Sequence, residues 1–283
     1  DMAAIRESLK FNSELSSNYI SQQLKEIDSK SEEETNNKTG SDSYVEHWDD
    51  TRVFYVTDIH LDSKISKIYG KHANDNEIES VIETAVNNIV ADYNSAPSKH
   101  KIMLIGGDVS HVCQRTRIFY QKLTECIPGK NIMAILGNHE YWDEKTRESN
   151  PDNIELTSEF YEKMFNELYI SFANNMLFTY KNGRRYFVRD NELMDASPEE
   201  IRTFIEDSPL TILGGTGFSG RNETYNCTSG MYRNAIRSRQ KEKELSTKFE
   251  SLYNKILKAV PNSRILIFTH MPMRDWTDKT PNP

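Results

Sequence analysis

Asp58 and His60 stand two positions apart at the end of the run Val53-Phe-Tyr-Val-Thr57. In an extended segment the side chains of residues i and i+2 point to the same side, so this pair offers a carboxylate and an imidazole to one spot. The same design recurs three times. Lys101-Ile-Met-Leu-Ile105 ends in Gly106-Gly107-Asp108, Asn131-Ile-Met-Ala-Ile-Leu136 ends in Gly137-Asn138-His139-Glu140, and Arg264-Ile-Leu-Ile-Phe268 ends in Thr269-His270. A mixed shell of carboxylate, imidazole and amide carbonyl suits manganese (Mn), iron (Fe), zinc (Zn) or nickel (Ni) better than calcium or a thiolate-bound metal.

Each of these groups follows an apolar run that reads as a buried strand. Ligands of open α/β sheets bind beyond the carboxyl ends of strands, where these residues fall. Between the first two runs, Ile78, Val81, Ile82, Ala85, Val86, Ile89, Val90 and Tyr93 form an apolar face at helical spacing, and Asn76-x-x-Glu79 reads as its capping box. Strand, helix and strand in that order predict a right-handed parallel crossover between 53–57 and 101–105. A helix near 115–126 and the strand 131–136 repeat the unit, and 154–169 reads as helical.

The pattern then changes. Segments 176–180 and 185–189 read as a hairpin with Asn182-Gly183 in its turn. Ser197-Pro-Glu-Glu200 opens a helix, 210–213 is a strand, and the longest helix covers about 238–260 before the His270 strand. Gly214-Gly-Thr-Gly-Phe-Ser-Gly220 lacks the Gly-Lys-Ser/Thr of a phosphate loop and reads as a tight loop whose Thr216 or Ser219 could line a pocket.

Composition is globular, with 36 % hydrophobic, 10 % aromatic and 28 % charged residues, enough for a sizeable core. No apolar stretch is long enough to cross a membrane, and no signal peptide is visible, so no membrane association is expected. Cys113, Cys126 and Cys227 are scattered and odd in number, which fits a reducing, cytoplasmic setting without structural zinc. Of the net charge of −8, residues 1–50 carry −7, from 12 acidic and 5 basic side chains. Residues 28–43 contain no hydrophobic residue and read as a flexible linker, which makes 1–50 an acidic appendage to a domain over 51–283. That domain is near neutral with no basic stripe, which argues against duplex DNA as a partner.

The series Asp58-x-His60, Gly107-Asp108, Gly137-Asn138-His139-Glu140 and His270 resembles the calcineurin-like metallophosphoesterases in order and approximate spacing, over roughly residues 51 to 276. The resemblance implies an α/β fold of two mixed β-sheets flanked by helices, a four-layer sandwich. It implies two divalent metal ions, manganese favoured, and phosphoester hydrolysis, of monoesters or diesters, by a metal-activated hydroxide. Carried onto this chain, Asp58 and His60 bind the first ion, Asp108 bridges both, and Asn138 and His270 bind the second. His139 is then the general acid or transition-state donor at the leaving oxygen, with Glu140 orienting or polarising it.

Departures from the family pattern narrow the expectation. The protein Ser/Thr phosphatases carry Gly-Asp-x-x-Asp-Arg-Gly, whereas this chain has Gly107-Asp108-Val-Ser-His111-Val-Cys113. A small molecule or nucleotide is therefore expected as substrate ahead of a phosphoprotein, with His111 or Arg115 as candidates for the missing Asp and Arg. The family's final Gly-x-His or Gly-His-x-His motif does not follow His270 before Pro283, so the domain is expected to be incomplete at that end. The alternative function is a non-catalytic protein-binding module on the same fold with an incomplete metal site. Oligomeric state is not readable.

Overall fold

A computed structural model of the chain describes residues 51–142, 154–181, 184–217 and 239–271. The acidic segment 1–50, including the expected linker at 28–43, lies outside the described residues, as do Ser219, Cys227 and Pro283. Contacts divide the described chain into two compact units. One contains 51–142, 154–174, 214–217, 239–250 and 268–271, and the other 175–181, 184–213 and 251–267.

The first unit is built on four parallel strands in the order β1-β2-β3-β4: β1 (Thr51–Val56), β2 (His100–Ile105), β3 (Ile132–Ala134) and β4 (Ser171–Phe172). β1 and β2 run in register from Thr51↔His100 to Val56↔Ile105. Continuous apolar runs are what strands covered on both faces require; Ile102 to Ile105 and all of β3 are buried. Among the described residues β1 is an edge strand, and there Val53 and Tyr55 are exposed.

Helices fill the connections. α1 (Leu61–Tyr69) and α2 (Asp75–Ser95) link β1 to β2, α3 (Cys113–Cys126) links β2 to β3, and α4 (Ile154–Glu167) precedes β4. Their apolar stripes share one core containing Leu61, Ile82, Val86, Phe119, Leu123, Tyr161 and Phe165. Tyr120 and Phe165 meet edge-to-face at 4.9 Å. Each such side chain is worth about 1.5–3 kcal/mol when removed from water. α2 starts two residues earlier than expected. Its capping box is Asn74 with Glu77, not Asn76 with Glu79, and each partner bonds the other's backbone N–H. The sequence offers two overlapping boxes, and the earlier one lengthens the helix.

The second sheet has the order β6-β5-β7-β8, with β5 (Met176–Lys181), β6 (Arg184–Val188), β7 (Leu210–Gly217) and β8 (Leu266–Met271). β5 and β6 form the expected antiparallel hairpin, from Leu177↔Val188 to Lys181↔Arg184; its turn residues Asn182 and Gly183 lie outside the described residues. α5 (Asp190–Asp195) and α6 (Pro198–Ile205) follow, the latter capped by Ser197 and Glu200 as its sequence predicts. α7 (Arg239–Ala259) leads to β8. The fold is α/β, with two sheets flanked by helices, and the first sheet is parallel throughout its described strands.

Gly214 to Gly217 belong to β7 and not to a tight loop. A β-carbon on Gly214 would lie 2.5 Å from the Ala173 β-carbon, and one on Gly217 would lie 2.4 Å from the Met271 carbonyl oxygen. These glycines serve close packing of backbones within the strand. Among the described residues no helix is long and apolar enough to cross a membrane.

Candidate metal centre

Three loops, after β1, β2 and β3, carry Asp58 and His60, Asp108, and Asn138 to Glu140. They are clamped to one another through the backbone. The Asp58 N–H donates to the Gly107 carbonyl (3.2 Å), that of His60 to the Asp108 carbonyl (2.9 Å) and that of Leu61 to the Val109 carbonyl (2.9 Å). Gly137 has to be glycine, because a β-carbon there would meet Asp108 Oδ1 at 2.1 Å and its amide at 2.6 Å. Asp58, His60 and Asp108 are all left-handed, with φ of 53°, 48° and 56°. Such backbone costs roughly 1–3 kcal/mol per residue and persists where surrounding contacts over-determine it. The strain falls on the residues that could ligate.

Glu140 supplies the clamp between the second and third loops. Its carboxylate, 1 % exposed, accepts the N–H groups of Gly137 (2.8 Å), Asp108 (2.9 Å) and Val109 (2.7 Å). Burial, with the Asp108 charge second, pushes its carboxyl up to about 7, while the three N–H groups oppose the rise.

Asp108, itself buried, is the centre of the cluster. Its Oδ1 accepts the His139 N–H (2.9 Å) and lies 3.5 Å from His270 Nε2. Its Oδ2 lies 3.9 Å from His60 Nε2 and 3.8 Å from His139 Nε2. Asp58 Oδ1 is 3.4 Å from His60 Nε2. His270 lies inside β8, because that strand runs to Met271 and does not stop at Phe268. Its Nδ1 faces the Gly106 carbonyl oxygen at 2.8 Å, and its Nε2 faces Asn138 Oδ1 at 3.0 Å.

This arrangement fits cations. A ring nitrogen donating to a backbone carbonyl is the usual outer bond of a metal-ligating histidine. With Nδ1 donating to Gly106, the bare Nε2 points at two oxygens, and lone pairs facing one another call for a positive charge between them. Donor atoms about 2.1 Å from one ion lie about 3.0 Å apart at right angles and about 3.4 Å apart at tetrahedral angles. The 3.0, 3.4 and 3.5 Å separations sit in that range. Two sets of ligand atoms gather within 4.8 Å, His60 with Asp108 and His139, and Asp58 with Asp108 and His270. Asp108 is common to both.

Residues 51–282 match the sequence model of the calcineurin-like phosphoesterase family. The chain belongs to that family. No match was found among curated proteins or among solved structures. Calcineurin-like phosphoesterases typically bind divalent metals, and in this one the matched stretch contains every residue of the cluster.

Sequence reasoning missed one part of the site. Asp62 lies in α1, where its carboxylate accepts the Ser110 hydroxyl (2.8 Å), the His111 N–H (2.8 Å) and Arg115 Nη1 (2.5 Å), with His111 Nδ1 at 2.9 Å. Burial pushes its carboxyl up, but His111 and Ser110 outweigh that and hold it well below the usual carboxylate range. The His111 ring sits 6.1 Å from that of His139, and the His60 ring sits 4.6 Å from it. The His139 imidazole is held below its ordinary value, first by burial and then by His60 and His111, with Asp108 opposing.

Proposed function

We propose that the chain hydrolyses phosphate esters with two divalent ions, manganese favoured, held on either side of Asp108. The observation that carries this reading is that the two oxygens of one buried carboxylate face different partners. Oδ2 faces His60 (3.9 Å) and His139 (3.8 Å), with Asp58 beside His60, and Oδ1 faces His270, which Asn138 accompanies. Only an anionic ligand with two oxygens bridges two cations well. The ions would supply charge neutralisation on the phosphoryl oxygens and a more acidic water.

The chain's own residues do the rest. Glu140 fixes the loops that carry Asp108 and Asn138, and so acts as a positioning residue. His139, whose imidazole burial, His60 and His111 hold below its ordinary value, favours its neutral form, and bound ions would favour it further. Its N–H is then suited to donate a hydrogen bond to the leaving oxygen, and imidazolium acid catalysis recedes. A small-molecule or nucleotide ester is favoured over a phosphoprotein, because Gly107-Asp108-Val-Ser-His111-Val-Cys113 lacks the Asp and Arg of the protein phosphatases, and over duplex DNA, from the near-neutral charge of 51–283. Cys113 and Cys126, neither of them in a disulfide, are compatible with cytoplasmic residence. A non-catalytic binding module on this fold has no use for a buried carboxylate among three imidazoles.

Turnover of p-nitrophenyl phosphate and bis(p-nitrophenyl) phosphate, with Mn²⁺ and with EDTA, tests the proposal and separates monoesterase from diesterase. Metal-dependent release of nitrophenol, absent in Asp108→Asn, is expected. Equal rates in the variant and the wild type overturn it.

A further inference from the structure

Asp62 and His111 form a carboxylate–imidazole pair beside the cluster to which the hydrolase reading assigns no task. Asp62 Oδ2 accepts the backbone N–H of His111 (2.8 Å) and also meets its ring Nδ1 (2.9 Å), so one oxygen fixes both the chain and the ring. The Ser110 hydroxyl and Arg115 Nη1 hold the carboxylate in turn, which ties the start of α1 to the loop after β2 and the start of α3. The Asp62 side chain is only 10 % exposed, whereas that of His111 is 49 % exposed. The ring positioned in this way lies 6.1 Å from the His139 ring, and His139 Nε2 lies 3.8 Å from Asp108 Oδ2. An ionised carboxylate only accepts, so Nδ1 carries a hydrogen and Nε2 is the nitrogen through which His111 would act on a ligand.

We propose that His111 contacts a phosphoryl oxygen of the bound ester through Nε2, beside His139, and that Asp62 is the residue that positions it. This contact rests on the hydrolase reading and adds a substrate-binding residue to it. Two donors that each hydrogen-bond a different oxygen of one phosphoryl group at about 2.8 Å stand roughly 5–8 Å apart. The 6.1 Å between the two rings falls within that span, so one phosphoryl group at the Asp108 cluster can touch both. Asp62 and a phosphoryl oxygen are both acceptors, so the contact calls for an imidazolium whose two N–H groups each meet an anion. Both anions favour that charged form. His139, by contrast, is disfavoured as a cation by burial and by His60 and His111. The two imidazoles then divide the work, His111 countering charge on the phosphoryl oxygens and His139 giving a neutral N–H to the leaving oxygen.

The test uses the full chain loaded with Mn²⁺. Calorimetry of inorganic phosphate reports the contact without turnover, and metal analysis of the same samples reports the cluster. His111→Ala should weaken phosphate about ten- to hundredfold, the range for a hydrogen bond to a charged group, with the Mn²⁺ content unchanged. In the same variant kcat/KM for p-nitrophenyl phosphate should fall by a similar factor, mainly through KM. Asp62→Asn should also weaken phosphate, and the double variant should lose no more than His111→Ala alone, because Asp62 acts through that ring. His111→Ala, made at an exposed side chain, decides the matter by itself if Asp62→Asn does not fold. No phosphate binding by the wild type, unchanged affinity in His111→Ala, a loss of affinity that follows loss of Mn²⁺, or additive losses in the double variant overturns the inference. His111-dependent phosphate binding with no turnover of the ester instead overturns the hydrolase reading and supports His111 as a phosphate contact.

Discussion

Glu140→Gln probes the buried junction on which the cluster is built. The side chain is 1 % exposed and meets three backbone N–H groups, two on Oε2 and one on Oε1. The glutamine oxygen can keep the two bonds from Gly137 and Asp108, but its NH2 then faces the Val109 N–H. A buried N–H left without an acceptor costs about 1–3 kcal/mol. Against this stands the position of the wild-type carboxyl, raised from 4.5 to about 7 by burial and by Asp108. A carboxyl whose folded value lies above its unfolded one contributes stability that is fully present below the unfolded value. That stability is lost as pH rises through the folded value. At about 1.4 kcal/mol per tenfold change in proton affinity, the loss reaches up to about 3 kcal/mol. Glutamine does not titrate. Urea melts of metal-stripped protein should therefore show Glu140→Gln less stable by about 1–3 kcal/mol near pH 5, with the gap closing or reversing by about pH 8. Saturating Mn²⁺ should flatten the wild-type slope by compensating the Asp108 charge. A gap that stays constant or widens with pH refutes the reasoning.

Asp108→Asn keeps one acceptor for the His139 N–H but loses the bridging charge. It should bind fewer than two Mn²⁺ and abolish hydrolysis, as read by metal analysis beside the nitrophenol assay. His139→Ala should retain both ions and lose about 10²–10³ in kcat. The loss should be smaller for nitrophenyl esters than for alkyl esters, and loss of an ion would make His139 a ligand instead. Asp62→Asn should destabilise the fold by about 1–3 kcal/mol at neutral pH. Because the folded value of Asp62 is depressed, the difference should be fully present above the ordinary 3.8 and shrink as pH falls below it, checked by melts across that range.

The residues of the candidate cluster were legible because they come at or just after apolar runs. Asp58 and His60 follow β1, Asp108, Asn138 and His139 follow the glycines after the apolar runs of β2 and β3, and His270 lies near the end of β8. Asp58, His60, Asp108, Asn138, His139 and His270 lie together in the structure. Asp62 was not legible. An extended reading of Asp58-x-His60-x-Asp62 puts three side chains on one face, whereas the left-handed turn at His60 starts α1 at Leu61 and carries Asp62 away. Its partners Ser110, His111 and Arg115 are 48–53 positions distant, a link no local pattern encodes. Glycine misled at 214–217, because punctuation of a loop and close approach of two backbones use the same residue. The two-residue β4 is too short to leave a periodicity, and the choice between Asn74 and Asn76 as cap is degenerate in the sequence.

The central claim is a pair of ions bridged by Asp108, and anomalous diffraction at the manganese edge from Mn²⁺-soaked crystals tests it most directly. The account predicts two peaks, one on each side of the Asp108 carboxylate. The Oδ2 ion should be shared with His60 and Asp58, and the Oδ1 ion with His270 and Asn138. No peak at Asp108, or a single ion that Asp108 does not contact, would contradict it.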